Sequence, residues 1–456
     1  VAIGKLTKEL LYYQESAFVE QIKELVPSDS YLKFLRYFVA WFNRNLDKNI
    51  PDEYKQEIYG ISFSCDPEFD FIGSGYQRQL NYHAAHDIGH ALQGLNMVGC
   101  TSFACWKDKS ADSSLIIGRN FDFYAGKKFA ENKIVCFYNP SHGYKFMMVT
   151  WAGMIGVVSG INEKGLTVTI NAAKSSVPGQ AKTPVSLLAR EILQYASTIN
   201  EAYSIAVRKK LFVSESLLIG SSIDGKAAII EKSPEKYDIV YSSGNSIVCA
   251  NHFQGEAFLN DKINIENIQG SDSYYRYKRM TELINKNNTV DEKIAVSILR
   301  NRYGLNDTIL GMGNPLAINQ LIAHHAVVFK PSELIAWVSA PPYQIGRFIA
   351  YDLHKVFSLN KNQIINNQEI YSLDCNIPPD SFLYSDDYVH YQNYLNLSDK
   401  LKKLKQDKIP LPQSFEKEYI NTNPHFYMVY FNLAEYYRKT GEYNKAVEYY
   451  RKTLTK

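Results

Sequence analysis

Apolar positions in the first part of the chain recur every three or four places: Leu6, Leu10, Leu11, Phe18, Ile22 and Leu25. That period predicts amphipathic helices over residues 1 to about 60, with a second helix over 31–45 and a break at Pro51. Residues 65–80 read as loop, and 82–95 as a helix ended by Gly94 and Gly99. Beyond residue 100 the texture changes. Apolar segments at 114–123, 133–139, 145–162 and 166–172 read as strands, with NEKG at 162–165 as a hairpin turn. Two helices are expected at 184–196 and 198–209, then strands at 216–222, 227–233, 237–243 and 246–252. Helices at 271–286 and 290–300 and a strand pair at 323–330 and 333–340 complete the run. Strands, two helices, strands, helices and strands in that order suggest two sheets with helices outside them.

From about residue 385 the chain becomes polar, helical and rich in Tyr and Lys. Residues 430–454 carry one tetratricopeptide-like unit: Tyr430, Leu433, Ala434, Tyr437, Gly441, Tyr443, Ala446 and Tyr450. The small Ala434 and Ala446 let two antiparallel helices approach closely. One unit cannot bury its own apolar face, so it is expected to dock on the main domain or on a partner.

The totals exclude more than they specify. Fifty basic and 47 acidic residues leave a net charge of +3 over 456 residues, with no footprint for nucleic acid. No run of about 18 apolar residues exists, so no transmembrane helix is expected. The six cysteines form no CxxC pair, which argues against a zinc ribbon or a disulfide scaffold. The first residue is Val1, not Met; a removed leader and an extracytoplasmic location are favoured over the cytoplasm.

The candidate chemistry gathers around Cys100. Small Gly99 precedes it, and the polar pair Arg119 and Asp122 follows in GRNFDF, on a strand expected to form a hairpin with the one carrying Cys100. A cysteine that becomes the first residue of a chain attacks with its thiol while its own amine takes the proton. To create that terminus the thiol must attack the Gly99 carbonyl. Gly99 leaves the scissile peptide open and tolerates strained backbone. A guanidinium such as Arg119 favours the thiolate, and Asp122 is placed to hold or orient the amine. Asn171 and Asn251, within or at the end of strands, are candidate oxyanion donors.

GCTSF at 99–103, GRNFDF at 118–123, GINEKGL at 160–166 leading to Asn171, ANHF at 250–253 and the helix start from Ser271 to Arg276 occur in this order. In these motifs residues 99–350 resemble the N-terminal nucleophile (Ntn) hydrolases that include acyl-coenzyme A:6-aminopenicillanic acid acyltransferase, the choloylglycine hydrolases and the acid ceramidases, a peptidase C45-like group. The resemblance implies an α+β fold, a four-layer αββα sandwich. It makes Cys100 the nucleophile, Arg119 and Asp122 its neighbours, Asn171 and Asn251 oxyanion and substrate groups, and Arg276 the residue that completes the site, although Arg279 lies one turn on. It also implies a division into a helical pro-segment at 1–99, cut from Cys100, an Ntn-hydrolase core at 100–384 and a C-terminal helical extension at 385–456 that lies outside the common core. The expected activity is a self-processing amidase or acyltransferase acting on a linear carbon–nitrogen amide bond. The acyl group passes through an S-acyl-Cys100 intermediate, with a small N-acyl amide as substrate and no metal or organic cofactor. The rival reading is a catalytically silent Ntn fold that binds a partner through its C-terminal helices.

Two histidine features stand apart. His83, His86, Asp87 and His90 share one face of the expected helix at 82–95, a spacing that suits either a metal or a polar packing face. His324 and His325 fall in a strand, so one is expected in the core and the other at the surface.

Overall fold

The computed structural model describes residues 1–25, 28–84, 99–123, 127–174, 181–360, 362–363 and 369–456. Its centre is two antiparallel sheets. In the first, β1 (Thr101–Lys107) and β2 (Ser113–Phe121) form a hairpin, flanked by β10 (Ser246–Cys249) on one side and by β11 (His325–Lys330), β12 (Ile335–Ser339) and β13 (Phe348–Asp352) on the other. The second runs in chain order through β3 (Ile134–Tyr138), β4 (Phe146–Thr150), β5 (Ser159–Asn162), β6 (Leu166–Ala172), β7 (Glu215–Ser221), β8 (Lys226–Lys232) and β9 (Tyr237–Tyr241).

Side-chain alternation stacks the layers. In β1, Ala104 and Trp106 pack with Met147, Leu218 and Ile229 of the facing sheet. Phe103 and Cys105 point the other way, into a cluster with Met280 and Val296. Those two residues lie on α9 (Ser273–Lys286) and α10 (Glu292–Leu299), the helices covering the first sheet. The outer face of the second sheet, with Met148, Val168 and Ile219, is covered by α6 (Val185–Tyr195) and α7 (Ile199–Arg208) through Leu188, Ile192 and Ala202. The result is the four-layer αββα sandwich. Strands buried on both faces explain why the sequence shows apolar runs where one-sided sheets would alternate. Gly118 of GRNFDF is opposite Phe103 in the β1–β2 register, and a Cβ there would stand 2.5 Å from the Phe103 ring.

The N-terminal part forms α1 (Ala2–Leu6), α2 (Lys8–Leu25), α3 (Asp29–Phe42), α4 (Asp52–Ser62) and α5 (Gly75–His83). The loop expected at 65–80 is corrected here: Ser74 and Gln77 close a capping box, and α5 begins at Gly75. The single strand expected at 145–162 also divides, into β4 and β5 around a turn. Its Gly153 has φ +87°, and a Cβ there would meet Gln79 at 2.5 Å and Leu11 at 2.7 Å. The chain leaves the sheet at this turn to receive the N-terminal helices. The GINEKGL turn is explained by Asn162. Its Oδ1 accepts from the Lys164 and Leu166 N–H groups, while its amide donates to Leu193 O and Ala196 O at the end of α6.

At the other end, α12 (Asp386–Asp407), α13 (Phe415–Thr422), α14 (Tyr427–Thr440) and α15 (Tyr443–Thr453) bury Tyr391, Tyr394, Tyr419 and Tyr437 in a cluster of their own. Gly441 ends α14 in the left-handed region. These helices dock on residues 311–321, where the Asn423 side chain brackets Met312: Nδ2 donates to Met312 O at 2.8 Å and Oδ1 accepts from Met312 N at 3.0 Å. Among the described residues no helix is long and apolar enough to cross a membrane.

Candidate active site

Cys100 lies one residue before β1, with no exposed surface. The hairpin register puts Arg119 opposite Ser102, so its guanidinium reaches back to the thiol, with Nη2 3.6 Å from Cys100 Sγ. Arg119 is held from several sides. Nη1 donates to Val158 O at 2.7 Å and to Ser159 Oγ, Nη2 donates to Ile170 O, and the guanidinium stacks 4.4 Å over the Phe121 ring. Burial pushes the Cys100 thiol up to about 11, and Arg119 pulls against that shift. The favoured thiolate expected from Arg119 is thus outweighed by desolvation while Cys100 remains inside the chain. Burial also raises the Asp122 carboxyl to about 7, against the pull of Arg276 and Arg119.

Gly99, the residue before the thiol, is held on both sides. Gly99 N–H donates to Asp122 O at 2.9 Å, and Gly99 O accepts from Gln320 Nε2 at 2.8 Å. The same Gln320 amide stands 3.4 Å from Asp122 Oδ2.

On the far side, Arg276 rather than Arg279 faces the site. Its Nε is 3.2 Å from Thr101 Oγ1, and Nη2 donates to Asn251 Oδ1 at 2.7 Å. Arg279 turns away to Glu282 and Asp307. The Asn251 amide donates to Ala172 O at 2.9 Å. Asn171 donates to Cys249 O at 3.0 Å and accepts from Ser102 Oγ at 3.3 Å, tying β6 to β10 and β1 across the two sheets. Both asparagine amides therefore donate to backbone carbonyls in this form of the chain.

Two buried groups near the thiol carry no sequence signal. Glu215, at the start of β7, acts electrostatically on both Cys100 and Arg119. Gln320 stands in a segment without strand or helix, 221 residues beyond Gly99.

The histidines need two corrections. His83 is not placed as a metal ligand. Both ring nitrogens are engaged, Nδ1 with Gln79 O at 2.7 Å and Nε2 accepting from Ile155 N–H at 3.0 Å, and burial holds its pKa down to about 4. His86, Asp87 and His90 lie outside the described residues. Among the described residues no cluster of three metal-ligating side chains occurs. The expected split of His324 and His325 between core and surface also fails, since both are fully buried. His324 precedes β11 and sits among Phe129 and Trp151, while His325 Nε2 is 2.8 Å from Ser159 Oγ behind Arg119.

Fold and site together define a four-layer sandwich with a buried cysteine at the head of a central strand. Residues 106–340 match the acyl-coenzyme A:6-aminopenicillanic acid acyl-transferase family, and the chain belongs to it. It is 25% identical over 225 residues to an N-acylethanolamine-hydrolyzing acid amidase of Caenorhabditis elegans, covering 47% of this chain and 59% of that protein. It is 24% identical over 274 residues to an uncharacterized protein of Archaeoglobus fulgidus, covering 52% and 44%. The chain thus spans about half the length of these curated relatives. A solved structure of a Caenorhabditis elegans N-acylethanolamine-hydrolyzing acid amidase ortholog aligns with a TM-score of 0.38 at 17% identity, over 54% of this chain and 95% of that one.

Proposed function

We propose that this protein is a self-processing N-terminal-cysteine amidase or acyltransferase, cut between Gly99 and Cys100 and acting on a linear N-acyl amide. The observation that carries the reading is Gly99, whose own N–H donates to Asp122 O and whose carbonyl, the one to be attacked, accepts from Gln320, with Arg119 beside the thiol.

Self-cleavage runs by an N-to-S acyl shift. The Cys100 thiol attacks the Gly99 carbonyl carbon, and the new S–C bond forms as the carbon–nitrogen bond breaks. The thiol proton goes to the leaving nitrogen, with Asp122 the nearby group whose shifted pKa suits the transfer. Water then hydrolyses the thioester to a Gly99 carboxylate and a free Cys100 with its own amine. In the mature enzyme that amine activates the thiol, and the same steps repeat on substrate. Water or a second amine takes the acyl group from Cys100. Uncut, the high thiol pKa and the capped nitrogen keep the site dormant.

An aromatic cleft supports an apolar acyl group. Phe123, Phe129 and Trp151 line it together with Leu11 and Phe18 of the N-terminal helices. Phe121, under Arg119, stacks on Phe123 of the cleft at 5.7 Å, so one buried ring stands between the guanidinium beside the thiol and the cleft wall. The intact mass of the denatured wild-type protein and of Cys100→Ala tests the reading. Two fragments meeting at Gly99–Cys100 are expected for the wild type and one uncut chain without amide turnover for the variant. Turnover retained by Cys100→Ala would overturn it.

A further inference from the structure

We infer that Gln320 is a catalytic residue of the maturation step, the donor that holds the Gly99 carbonyl oxygen as it becomes an oxyanion. The inference rests on the self-cleavage proposed above and assigns it a group that no motif marks.

Three observations carry it. The Gln320 side chain is almost fully buried, and its Nε2 lies 2.8 Å from Gly99 O, the distance an oxyanion donor needs. The other two candidate amides are bonded to other carbonyls, Asn171 to Cys249 O and Asn251 to Ala172 O, and Gln320 is the side-chain amide found on Gly99 O. Third, glycine at position 99 leaves the space that this amide occupies. A Cβ on residue 99 would stand 2.5 Å from Gln320 Nε2 and 2.8 Å from its Oε1. The small residue before the nucleophile therefore makes room for the donor as well as for attack.

The neighbours of Gln320 fix its place. Asn319 N–H donates to Asn301 O at 2.8 Å, and Asn319 Oδ1 accepts from Leu321 N–H at 3.0 Å. Leu321 has φ +54°, a conformation that L residues rarely adopt, and its side chain is buried in the aromatic cluster of the C-terminal helices. The residue after Gln320 is thus anchored in the C-terminal extension while Gln320 itself turns to the scissile peptide.

In the step, Cys100 Sγ bonds to the Gly99 carbon and the carbonyl electron pair moves onto the oxygen. The Gln320 N–H holds that oxygen until the pair returns and expels the Cys100 nitrogen, which leaves with the thiol proton. No cofactor or co-reactant beyond water is required.

The test follows cleavage of the full chain over time by intact mass. It compares wild type, Cys100→Ala, Gln320→Met, which keeps the bulk and lacks the donor, and Gln320→Asn, which draws the amide back by one methylene. Melting temperature and the rate of Cys100 alkylation by iodoacetamide in the uncut chain are read alongside. Loss of one oxyanion donor slows cleavage by about 10²–10³-fold. That slowing is expected in both Gln320 variants, with melting and alkylation unchanged. Hydroxylamine, which cleaves a thioester already formed, should not restore the rate, because the defect precedes the thioester. Wild-type cleavage rates in both variants would overturn the inference and leave self-processing standing. Slow cleavage accompanied by altered melting and alkylation in both would reduce Gln320 to a structural residue and overturn it equally. A wild type that stays whole from pH 4.5 to 8 would instead sink the self-processing reading, and this inference with it.

Discussion

The N-terminal helices share one apolar cluster with the sandwich, where Leu11, Tyr54 and Ile58 pack beside Phe146, Ile155 and Leu188. The C-terminal helices keep their aromatic residues largely to themselves and touch the sandwich through Leu321, Ile345 and the Asn423–Met312 bracket. The first contact is also reinforced by an ion pair whose cation is buried. Arg190 of α6 makes a two-pronged pair with Glu57 of α4, at 2.8 and 2.6 Å, and stacks over Tyr54 and Tyr138. The region that the proposed cut would sever is thus the one most deeply built into the core. Cutting the chain at Gly99 would leave a two-fragment protein held by packing, whereas the uncut C-terminal region behaves as an attached unit with its own core.

The strongest way to break this contrast is to remove Glu57. Glu57→Ala leaves the fully buried Arg190 guanidinium without its carboxylate. Truncating one member of a buried, hydrogen-bonded charge pair costs about 2–5 kcal/mol, and the lower end applies here because the Glu57 side chain is 34% exposed while Arg190 is not. The cleaved wild type should elute from a sizing column as one species, and cleaved Glu57→Ala should separate into its fragments on dilution. Co-elution of the variant at every concentration would show that the apolar cluster alone holds the segment.

Asn423→Ala is the matching change at the other end and is expected to be milder. It removes both side-chain bonds to the Met312 backbone; these bonds are only partly buried, so water replaces them and each costs about 0.5–1.5 kcal/mol. Amide exchange should rise across 311–321 and the C-terminal helices, while the sheets stay protected. Because Leu321 is anchored in that cluster, the variant should also slow cleavage at Gly99. Unchanged exchange at 311–321 would separate the C-terminal helices from the site.

How much of this was legible in the sequence follows from where the reach of each residue comes from. Cys100 and Arg119 lie on one face of the two arms of one hairpin, so spacing and a period of two bring them together, while Asp122, one residue past β2, follows Arg119 closely enough in the chain to be read as its neighbour. Asn251 and Arg276 flank one strand end and the following helix, again a local relation. Gln320 could not be read this way. It approaches Gly99 only because β11 pairs with β2 and because the C-terminal helices hold the segment before it, and neither fact leaves a motif. The asparagines show a different limit. Asn171 stands out in the sequence as a polar residue in a strand and Asn162 as the start of a turn, but neither position tells that their amides join sheet to sheet and turn to helix. The division at 145–162 escaped notice because its cause, the N-terminal helices resting on Gly153, lies over 70 residues earlier at Gln79.

The smallest effect sharpens the contrast by pH. His83 joins α5 to the sandwich by accepting the Ile155 N–H, and burial, with a smaller contribution from Arg190, depresses its pKa from 6.5 to about 4. The unfolded chain therefore binds a proton below pH 6.5 that the folded chain refuses until about pH 4. Stability from this group is fully present above 6.5 and is lost as the pH falls toward 4. One pH unit corresponds to about 1.4 kcal/mol, so the loss at pH 5.5 is about 1 kcal/mol. Protonation would also set an N–H against the Ile155 N–H, so the N-terminal helices should loosen before the C-terminal ones. Amide exchange between pH 7 and 5.5 should rise at α5 and at 151–158 and remain flat in α12–α15. In His83→Gln the acid-induced rise should disappear. If the variant shows the same acid response as the wild type, another group carries it and the N-terminal contact is not the acid-sensitive one.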